Sequence, residues 1–147
     1  MAATREPQVF LFLSRILGKK IVDAKGKIIG NVYDVTAEFV EPYPLVTGLT
    51  LGAARKREPL FLPWNKVIDL DENVISSVNS TGELSALNLR KGELLLRDNL
   101  LDKQVVDTDG AKIRRVNDLQ FLETQHRLHL IHVDVGFRGL IRRIGLT

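Results

Sequence analysis

The chain has 147 residues, of which 27% are charged and 44% hydrophobic, a composition typical of a globular protein with its own core. The net charge of +3 is too small for a dedicated nucleic-acid binder, and the lack of cysteine excludes disulfides, thiol nucleophiles and cysteine-bound metals. No stretch approaches the roughly 20 apolar residues that a membrane-spanning helix needs. We therefore expect a cytoplasmic protein whose contact with membranes is at most peripheral.

The sequence contains an internal repeat. Residues 10–52 align without a gap on residues 94–136, an offset of 84, and 10 of these 43 pairs are identical. Ordinary composition would give roughly three identical pairs by chance. A duplicated segment of this length predicts two units of one fold. The identical pairs are Leu11/Leu95, Leu17/Leu101, Lys19/Lys103, Val22/Val106, Asp23/Asp107, Gly26/Gly110, Ile29/Ile113, Val32/Val116, Asp34/Asp118 and Gly52/Gly136.

Each unit is predicted to begin with a short apolar strand and one helical turn. Ser14 and Asp98 occupy equivalent positions there, and both residue types are good N-caps. A hairpin follows, with aspartate at the first turn position and glycine three residues later, which is typical of a type I turn. These structural turn residues are Asp23, Gly26, Asp107 and Gly110.

The return strands of the two hairpins, about 27–39 and 111–123, are not cleanly alternating. Ile29, Val32 and Val35 are three apart, and the second unit repeats this spacing. The shared phase slip predicts a β-bulge that bends each strand. The next strands, 45–51 and 129–135, alternate well between apolar and polar residues.

The first unit, predicted over residues 1–78, continues with a further strand, a turn around Trp64 and a strand pair. We predict a linker over 79–92 with a short helix at about 82–89, and a second unit over 93–147. Short strands, bulges and tight turns predict an all-β fold with short helices, in which each unit is a small curled sheet or barrel.

These segments resemble the PRC-barrel family, the small β-barrel of the photosynthetic reaction-centre H subunit and of the C-terminal half of the ribosome maturation factor RimM. The resemblance lies in LGKKIVDAKGKIIGNVYDV, VTGLTLG and LFLPWNKVIDLDENVI of the first unit. In the second unit, LLDKQVVDTDGAKIRRVNDL and HVDVGFRGLIRRIGL are similar to tandem PRC-barrel proteins. In those proteins the region lies ahead of a magnesium-transporter N-terminal (MgtE-like) domain and CBS domains.

The resemblance implies a non-catalytic binding, assembly or regulatory module, with no cofactor and no catalytic residue to carry over. It implies a protein partner or further domains of the same polypeptide as the binding partner, in a context linked to magnesium-transporter-like and CBS regulation. The alternative is a module associated with RNA or ribosome assembly, like the RimM barrel. No phosphate-binding loop or nucleophile–base motif is visible, so the sequence predicts no enzyme.

The second unit is incomplete by comparison with the first. Adding 84 to residues 60–77 gives positions 144–161, whereas the sequence has 147 residues. An open sheet edge is a template for pairing with another strand. Either the sequence is a fragment of a longer protein, or the second unit is completed by a second copy of the chain, as a homodimer, or by packing against the first unit.

Several polar residues are candidates for binding or metal chemistry. Asp34 and Asp118 follow the predicted bulge within an apolar strand, where a carboxylate needs partners, so they either form structural hydrogen bonds or bind a ligand. His126, His129 and His132 do not share one strand face, which argues against zinc. The acidic segment at 69–73 lacks the glycine and distal glutamate of a calcium loop.

Other residues are candidates for contacts with partners. Trp64, the single tryptophan, fits a core residue with a bonded N–H, or an interaction hot spot if it is exposed. Two basic clusters could contact phosphate or anionic lipid, although charge runs in loops are usually only solvated. The clusters are Arg55, Lys56 and Arg57, and Arg138, Arg142 and Arg143.

Overall fold

The computed structural model describes residues 9–52, 59–78, 83–107 and 112–135, and of residues 106, 107 and 112 only the backbone. The first repeat contributes β1 (Val9–Phe12), α1 (Leu13–Ile16), β2 (Lys20–Val22), β3 (Ile28–Glu38), β4 (Leu45–Leu51), β5 (Leu60–Pro63), a 3₁₀ turn (Trp64–Lys66), β6 (Val67–Leu70) and β7 (Val74–Ser77). A two-residue strand, β8 (Ser85–Ala86), follows. The second repeat contributes β9 (Glu93–Leu95), α2 (Leu96–Asn99), β10 (Gln104–Asp107), β11 (Lys112–Arg115), β12 (Asp118–Thr124) and β13 (Arg127–Asp134).

The strands of both repeats form one curled sheet. Its eleven strands run in the order β1-β12-β13-β4-β3-β2-β7-β6, with β5 on β4, β8 on β5 and β9 on β3, while β10 and β11 form a separate two-stranded sheet. The all-β fold class with short helices is therefore confirmed. The first strand of each repeat pairs with the other repeat: β1 with β12 and β9 with β3.

The repeat is visible in the backbone hydrogen bonds. The Gly18 N–H donates to the Val32 carbonyl at 2.8 Å, and the equivalent Asp102 N–H donates to the Val116 carbonyl at 2.8 Å. Gly18 and Asp102 both have positive φ, 85° and 62°. The 84-residue offset thus conserves backbone conformation even where glycine is replaced by aspartate.

Three details of the predicted elements are wrong. The second return strand is not continuous: it divides into β11 and β12 at residues 116–117, where the first repeat keeps one strand with a register shift between Val32 and Asp34. The helix predicted over 82–89 is absent from the described residues 83–89, where Ser85 and Ala86 instead form a strand that pairs with β5. Ser14 and Asp98 are not N-caps, since both lie inside the one-turn helices.

The core is a single cluster of aliphatic and aromatic side chains from both repeats. The fully buried residues include Ile21, Leu49 and Ile75 of the first repeat and Leu119 and Phe121 of the second. Because β1 and β9 cross between repeats, the two halves bury apolar surface against each other, which stabilises them jointly.

The first hairpin turn has the predicted chemistry. The Asp23 carboxylate accepts hydrogen bonds from the Lys25 and Lys27 N–H groups at 2.9 and 2.8 Å. Gly26 has φ of +83°, and its N–H donates to the Asp23 carbonyl at 2.9 Å. The second turn, at Gly110, lies outside the described residues.

We predict that Gly26→Ala lowers the free energy of unfolding by about 1 kcal/mol, because a Cβ is strained at positive φ. A Cβ at Gly26 meets no atom within 4 Å, so only backbone strain is tested. Gly52→Ala is the matched control: its φ is not in the left-handed region and its nearest neighbour, the Asn31 carbonyl oxygen, lies at 3.7 Å. Urea unfolding of both variants checks this, and equal stability of the two would contradict the turn assignment.

Candidate functional site

The two repeats meet about a local two-fold axis. Strands β4 and β13 are equivalent under the 84-residue offset, and they pair antiparallel at His129 and Leu45, which are themselves equivalent positions. The Leu130 N–H donates to the Pro44 carbonyl at 2.9 Å. Antiparallel pairing of equivalent residues is the arrangement of an isologous dimer interface, here built within one chain.

Asp34 and Asp118 form a reciprocal contact between the repeats. Asp34, from the first repeat, accepts hydrogen bonds from the Arg97 and Asp98 N–H groups of α2 at 2.6 and 3.0 Å. Asp118, from the second repeat, accepts one from the Ser14 N–H of α1 at 3.0 Å and one from the Ser14 hydroxyl. Each carboxylate thus satisfies the unpaired first-turn N–H groups of the other repeat's helix.

Asp34 is fully buried, and burial raises the pKa of its carboxyl above the ordinary value of 3.8. The N–H groups of Arg97, Val35 and Asp98 oppose that rise by hydrogen bonding to the carboxylate, and the nearby charge of Asp98 adds to it. On the exposed surface, the Arg97 guanidinium lies 4.6 Å from the Tyr33 ring centre and donates to the Tyr33 carbonyl at 3.1 Å. These contacts account for the carboxylate, so Asp34 has the structural role that the sequence offered as one alternative.

The two carboxylates differ in what their second oxygen accepts, and this predicts unequal effects of asparagine. At Asp34 both oxygens accept from backbone N–H groups. In the Asp34→Asn variant the amide N–H₂ replaces one of these oxygens, so two hydrogen-bond donors would face each other there. At Asp118 the second oxygen faces the Ser14 hydroxyl, which can rotate and accept instead.

We therefore expect Asp34→Asn to lower the free energy of unfolding by about 1–3 kcal/mol, and Asp118→Asn by less than about 1 kcal/mol. Urea unfolding of the two single variants at neutral pH checks the order. Equal losses at both positions would contradict the reciprocal hydrogen bonding.

The raised pKa of Asp34 also sets the sign of a pH dependence. A carboxyl whose folded-state pKa lies above its unfolded value stabilises the fold most below about pH 3.8, and this contribution is lost as pH rises through the folded pKa. The difference in unfolding free energy between the parent and Asp34→Asn should therefore shrink with rising pH. Unfolding series of both proteins between about pH 3 and pH 8 measure it. A difference that grows with pH would mean that the N–H groups, rather than burial, dominate.

A cleft of about 870 Å³ lies where the two repeats meet, and residues of both repeats line it. Trp64 is 8% exposed, and its indole N–H donates to the His126 carbonyl at 2.8 Å. The His126 ring stacks on Trp64 with centres 5.8 Å apart, and its Nε2 lies 2.7 Å from the Val67 carbonyl. Because a carbonyl can only accept, Nε2 donates there. The tip of the β12–β13 hairpin is thereby fixed to the first repeat.

The lining of the cleft has an apolar part, which includes Phe61, Pro63 and Trp64. Gly48, on the paired strand, permits this packing, because a Cβ there would lie 2.4 Å from the Phe61 ring. Gly48 lies opposite Pro63 in the strand pair, and the ring of Phe61, two residues before Pro63 on β5, approaches its backbone closely.

The lining of the cleft also carries charges of both signs. Glu93 forms an ion pair with Arg90 at 3.3 Å, and its side chain is only 5% exposed. Burial acts to raise the pKa of Glu93, but hydrogen bonds from Arg90 and Thr47 together with the Arg90 charge outweigh it and lower the pKa. Glu93 therefore stays ionised. Arg127 and Glu38 add a second pair of opposite charges to the lining.

The other predicted residues fall in different places. Trp64 is mostly buried with its N–H bonded, as the core interpretation predicts, and its ring also lines the cleft. His126 lies in the β12–β13 turn with φ of 62°, not on a strand. Among the described residues, no group of three histidine, cysteine, aspartate or glutamate side chains could hold a metal ion. Of Asp107 only the backbone is described, and both basic clusters lie outside the described residues: Arg55, Lys56, Arg57, Arg138, Arg142 and Arg143.

Sequence reasoning missed the partners of these residues across the repeats. The identity of Asp34 and Asp118 was the available signal, but it could not show that each bonds to the other repeat. The contact between Trp64 and His126 has no pattern in sequence, since the residues are 62 positions apart.

The family of the chain follows from a comparison with known protein families. The model of the PRC-barrel domain matches residues 8–83, more than half of the chain, and the matched region holds β1 to β7 and their core. The chain belongs to the PRC-barrel family. A search of curated proteins gives no significant match. Within the part of the chain that the structure describes, no helix is long and apolar enough to cross a membrane.

Proposed function

We propose that this protein is a non-catalytic module that binds an extended segment of a partner protein in the cleft between its repeats. The observation that carries this proposal is the cleft itself, whose lining comes from both repeats and combines aromatic side chains with charges of both signs. Clefts with apolar floors and a few charged groups are the usual sites of recognition, and domain or repeat junctions commonly form them. The PRC-barrel fold supports the general class of a small binding or assembly module.

Strand β8 supports an extended occupant. Ser85 and Ala86 are exposed, line the cleft, and among the described residues pair only with β5. An extended segment lying along the other edge of β8 could form backbone hydrogen bonds and place an apolar side chain beside Trp64. Arg90, Glu93, Arg127 and Glu38 would then select the charges that flank this side chain.

A protein partner fits the cleft better than RNA, the alternative suggested by the resemblance to RimM. The two arginines and two glutamates of the lining balance in charge, whereas a groove for RNA is strongly positive. The absence of catalysis, a cytoplasmic location and a regulatory context beside magnesium-transporter-like and CBS domains are further parts of the proposal, and the family resemblance supports them.

Ala86→Arg should block the cleft with little cost in stability, because Ala86 is exposed and lies at a strand edge. Ala24→Arg, in the exposed first hairpin turn, makes the same chemical change away from the cleft. We expect tagged Ala86→Arg protein, expressed in its native host, to lose proteins that co-purify with both the parent and Ala24→Arg. Quantitative mass spectrometry measures the difference.

Each recovered partner is then tested directly with purified components. Its binding segment should shift the NMR signals of cleft residues and bind Ala86→Arg at least about tenfold more weakly, a loss of about 1.4 kcal/mol. If every specific partner binds Ala86→Arg as well as the parent, the cleft is not the binding site.

A further inference from the structure

A second cleft, of about 970 Å³, lies where the turn after α1 meets the turn between β6 and β7. Strands β2 and β7 are parallel, with Lys20 opposite Val74, so both strands begin at the same edge of the sheet. The segments that lead into these strands therefore meet at this opening, and both contribute to its lining. No described residue lines both this cleft and the cleft of the proposed function.

The described lining of the second cleft carries a net positive charge. Its cations are Arg15, Lys19 and Lys20, against one carboxylate, Glu72, and none of the three cations forms an ion pair with another described residue. The Lys19 Nζ donates to the Asp71 carbonyl at 2.7 Å. An ammonium group has three N–H donors, so two of those on Lys19 stay available to a ligand. The Asp71 carboxylate accepts the Glu72 N–H and does not line the cleft.

The comparison of the two repeats shows that the fold does not require these charges. Residues 15–20, RILGKK, are equivalent to residues 99–104, NLLDKQ; the first segment has three cations and no carboxylate, whereas the second has one of each. The two turns are nevertheless alike, since the Lys19 and Lys103 N–H groups each donate to the carbonyl three residues earlier, at 3.2 and 3.1 Å. Three like charges within six residues repel one another. Such an unfavourable local cluster is typical of a functional site.

The rest of the lining favours a small ligand with an aliphatic part. Leu11, Leu17 and Val74 supply aliphatic surface, and none of the described lining residues is aromatic. The base of a nucleotide, which stacks on aromatic rings, therefore has no such partner among them. Glu72 repels a second phosphate, which disfavours a polyanion such as RNA. Clefts of this volume are typical sites for small molecules.

From these observations we propose that the second cleft binds a small aliphatic phosphate monoester, either as a free metabolite or as the headgroup of a lipid. Such a group carries a charge of about −1.5 to −2 at neutral pH, which balances three cations and one carboxylate. A carboxylate ligand would leave positive charge unbalanced. Arg15 supplies a planar fork of donors for the phosphate oxygens, Lys19 and Lys20 supply compact charges, and the Asn73 amide supplies a neutral donor.

Monobutyl phosphate, a simple ligand of this class, tests the proposal. Titrated into the protein at neutral pH, it should shift the NMR signals of Gly18, Lys20 and Asn73 more than that of Ala86 in the first cleft. It should bind at least about fourfold more tightly than inorganic phosphate, the effect of burying one CH₂ group against the aliphatic lining. Butanol, which lacks the phosphate, is the control and should leave these signals unchanged.

Two double variants locate the site. Arg15→Asn with Lys20→Gln introduces the residues of the second repeat, and it should weaken binding at least about tenfold while the protein melts no lower than the parent. Lys25→Gln with Lys27→Gln removes the same charge from the exposed hairpin turn outside the cleft, and it should bind like the parent. If the first double variant melts below the parent, Lys20→Gln alone is the milder test, with an expected loss of at least about threefold.

Vesicles distinguish a lipid headgroup from a free metabolite. Phosphatidylcholine vesicles with phosphatidic acid present a phosphate monoester, whereas those with phosphatidylserine present negative charge without a monoester. If the ligand is a headgroup, the parent should sediment with the first vesicles more than with the second, and Arg15→Asn with Lys20→Gln should abolish the difference. If the ligand is a free metabolite, the parent should sediment with neither, although monobutyl phosphate shifts the signals of the cleft.

Three results would overturn the proposal. The first is the absence of signal changes at the second cleft with millimolar monobutyl phosphate. The second is equal weakening of binding by the two double variants, which would mean that the protein attracts anions only through its overall charge. The third is binding of inorganic phosphate as tight as that of monobutyl phosphate, which would mean that the aliphatic lining contacts no ligand.

Discussion

The fold depends on the exchange of hydrogen bonds between the repeats. The first strand of each repeat pairs in the other, and the helix that follows it begins against the other repeat's aspartate, Asp34 or Asp118. A one-turn helix has too few internal bonds to form alone, and its first N–H groups need acceptors. Because those acceptors come from the partner repeat, each short helix forms only where the two repeats are packed together. The segment predicted as a linker, 79–92, therefore connects two repeats that share one sheet.

The hydrogen bonds between the repeats require a buried carboxylate, Asp34, and its burial costs free energy. A carboxylate removed from water loses hydration, which is why burial raises the pKa of Asp34. Three backbone N–H groups repay part of that loss, and two of them belong to α2. An alanine there would avoid the cost of burial but would leave these donors without partners. Asp34 thus favours one packing of the two repeats, because its hydrogen bonds are complete only when α2 of the second repeat is in place.

The sequence predicted the features that depend on residues close together in the chain. The aspartate–glycine turn at Asp23 and Gly26 and the bulge after Val32 follow from local chemistry and periodicity. The alternation predicted for β4 is wrong, because its residues from Gly48 to Leu51 are all buried. The left-handed backbone conformation that Gly18 and Asp102 share was not predicted, although the two residues are equivalent under the 84-residue offset. The pairing of β1 with β12 and the contact of Trp64 with His126 were not predictable, because contacts between distant segments have no period within either segment. The predicted helix near 82–89 failed because pairing of Ser85 and Ala86 with β5 outweighed weak helical propensity.

The two repeats have diverged where they are not bound by their shared contacts. Near the local two-fold axis the equivalent residues Asp34 and Asp118 are retained, and so are the backbone bonds at Val32 and Val116. Away from it, Gly30 and Asn31 are replaced by Arg114 and Arg115, and among the described residues β10 pairs only with β11, whereas β2 pairs with both β3 and β7. The exchange of the first strands constrains the residues near this axis, because a substitution in one repeat alters its contacts with the other. The outer hairpins carry no such constraint, so their sequences can differ, as they do where Arg114 and Arg115 stand at the positions of Gly30 and Asn31.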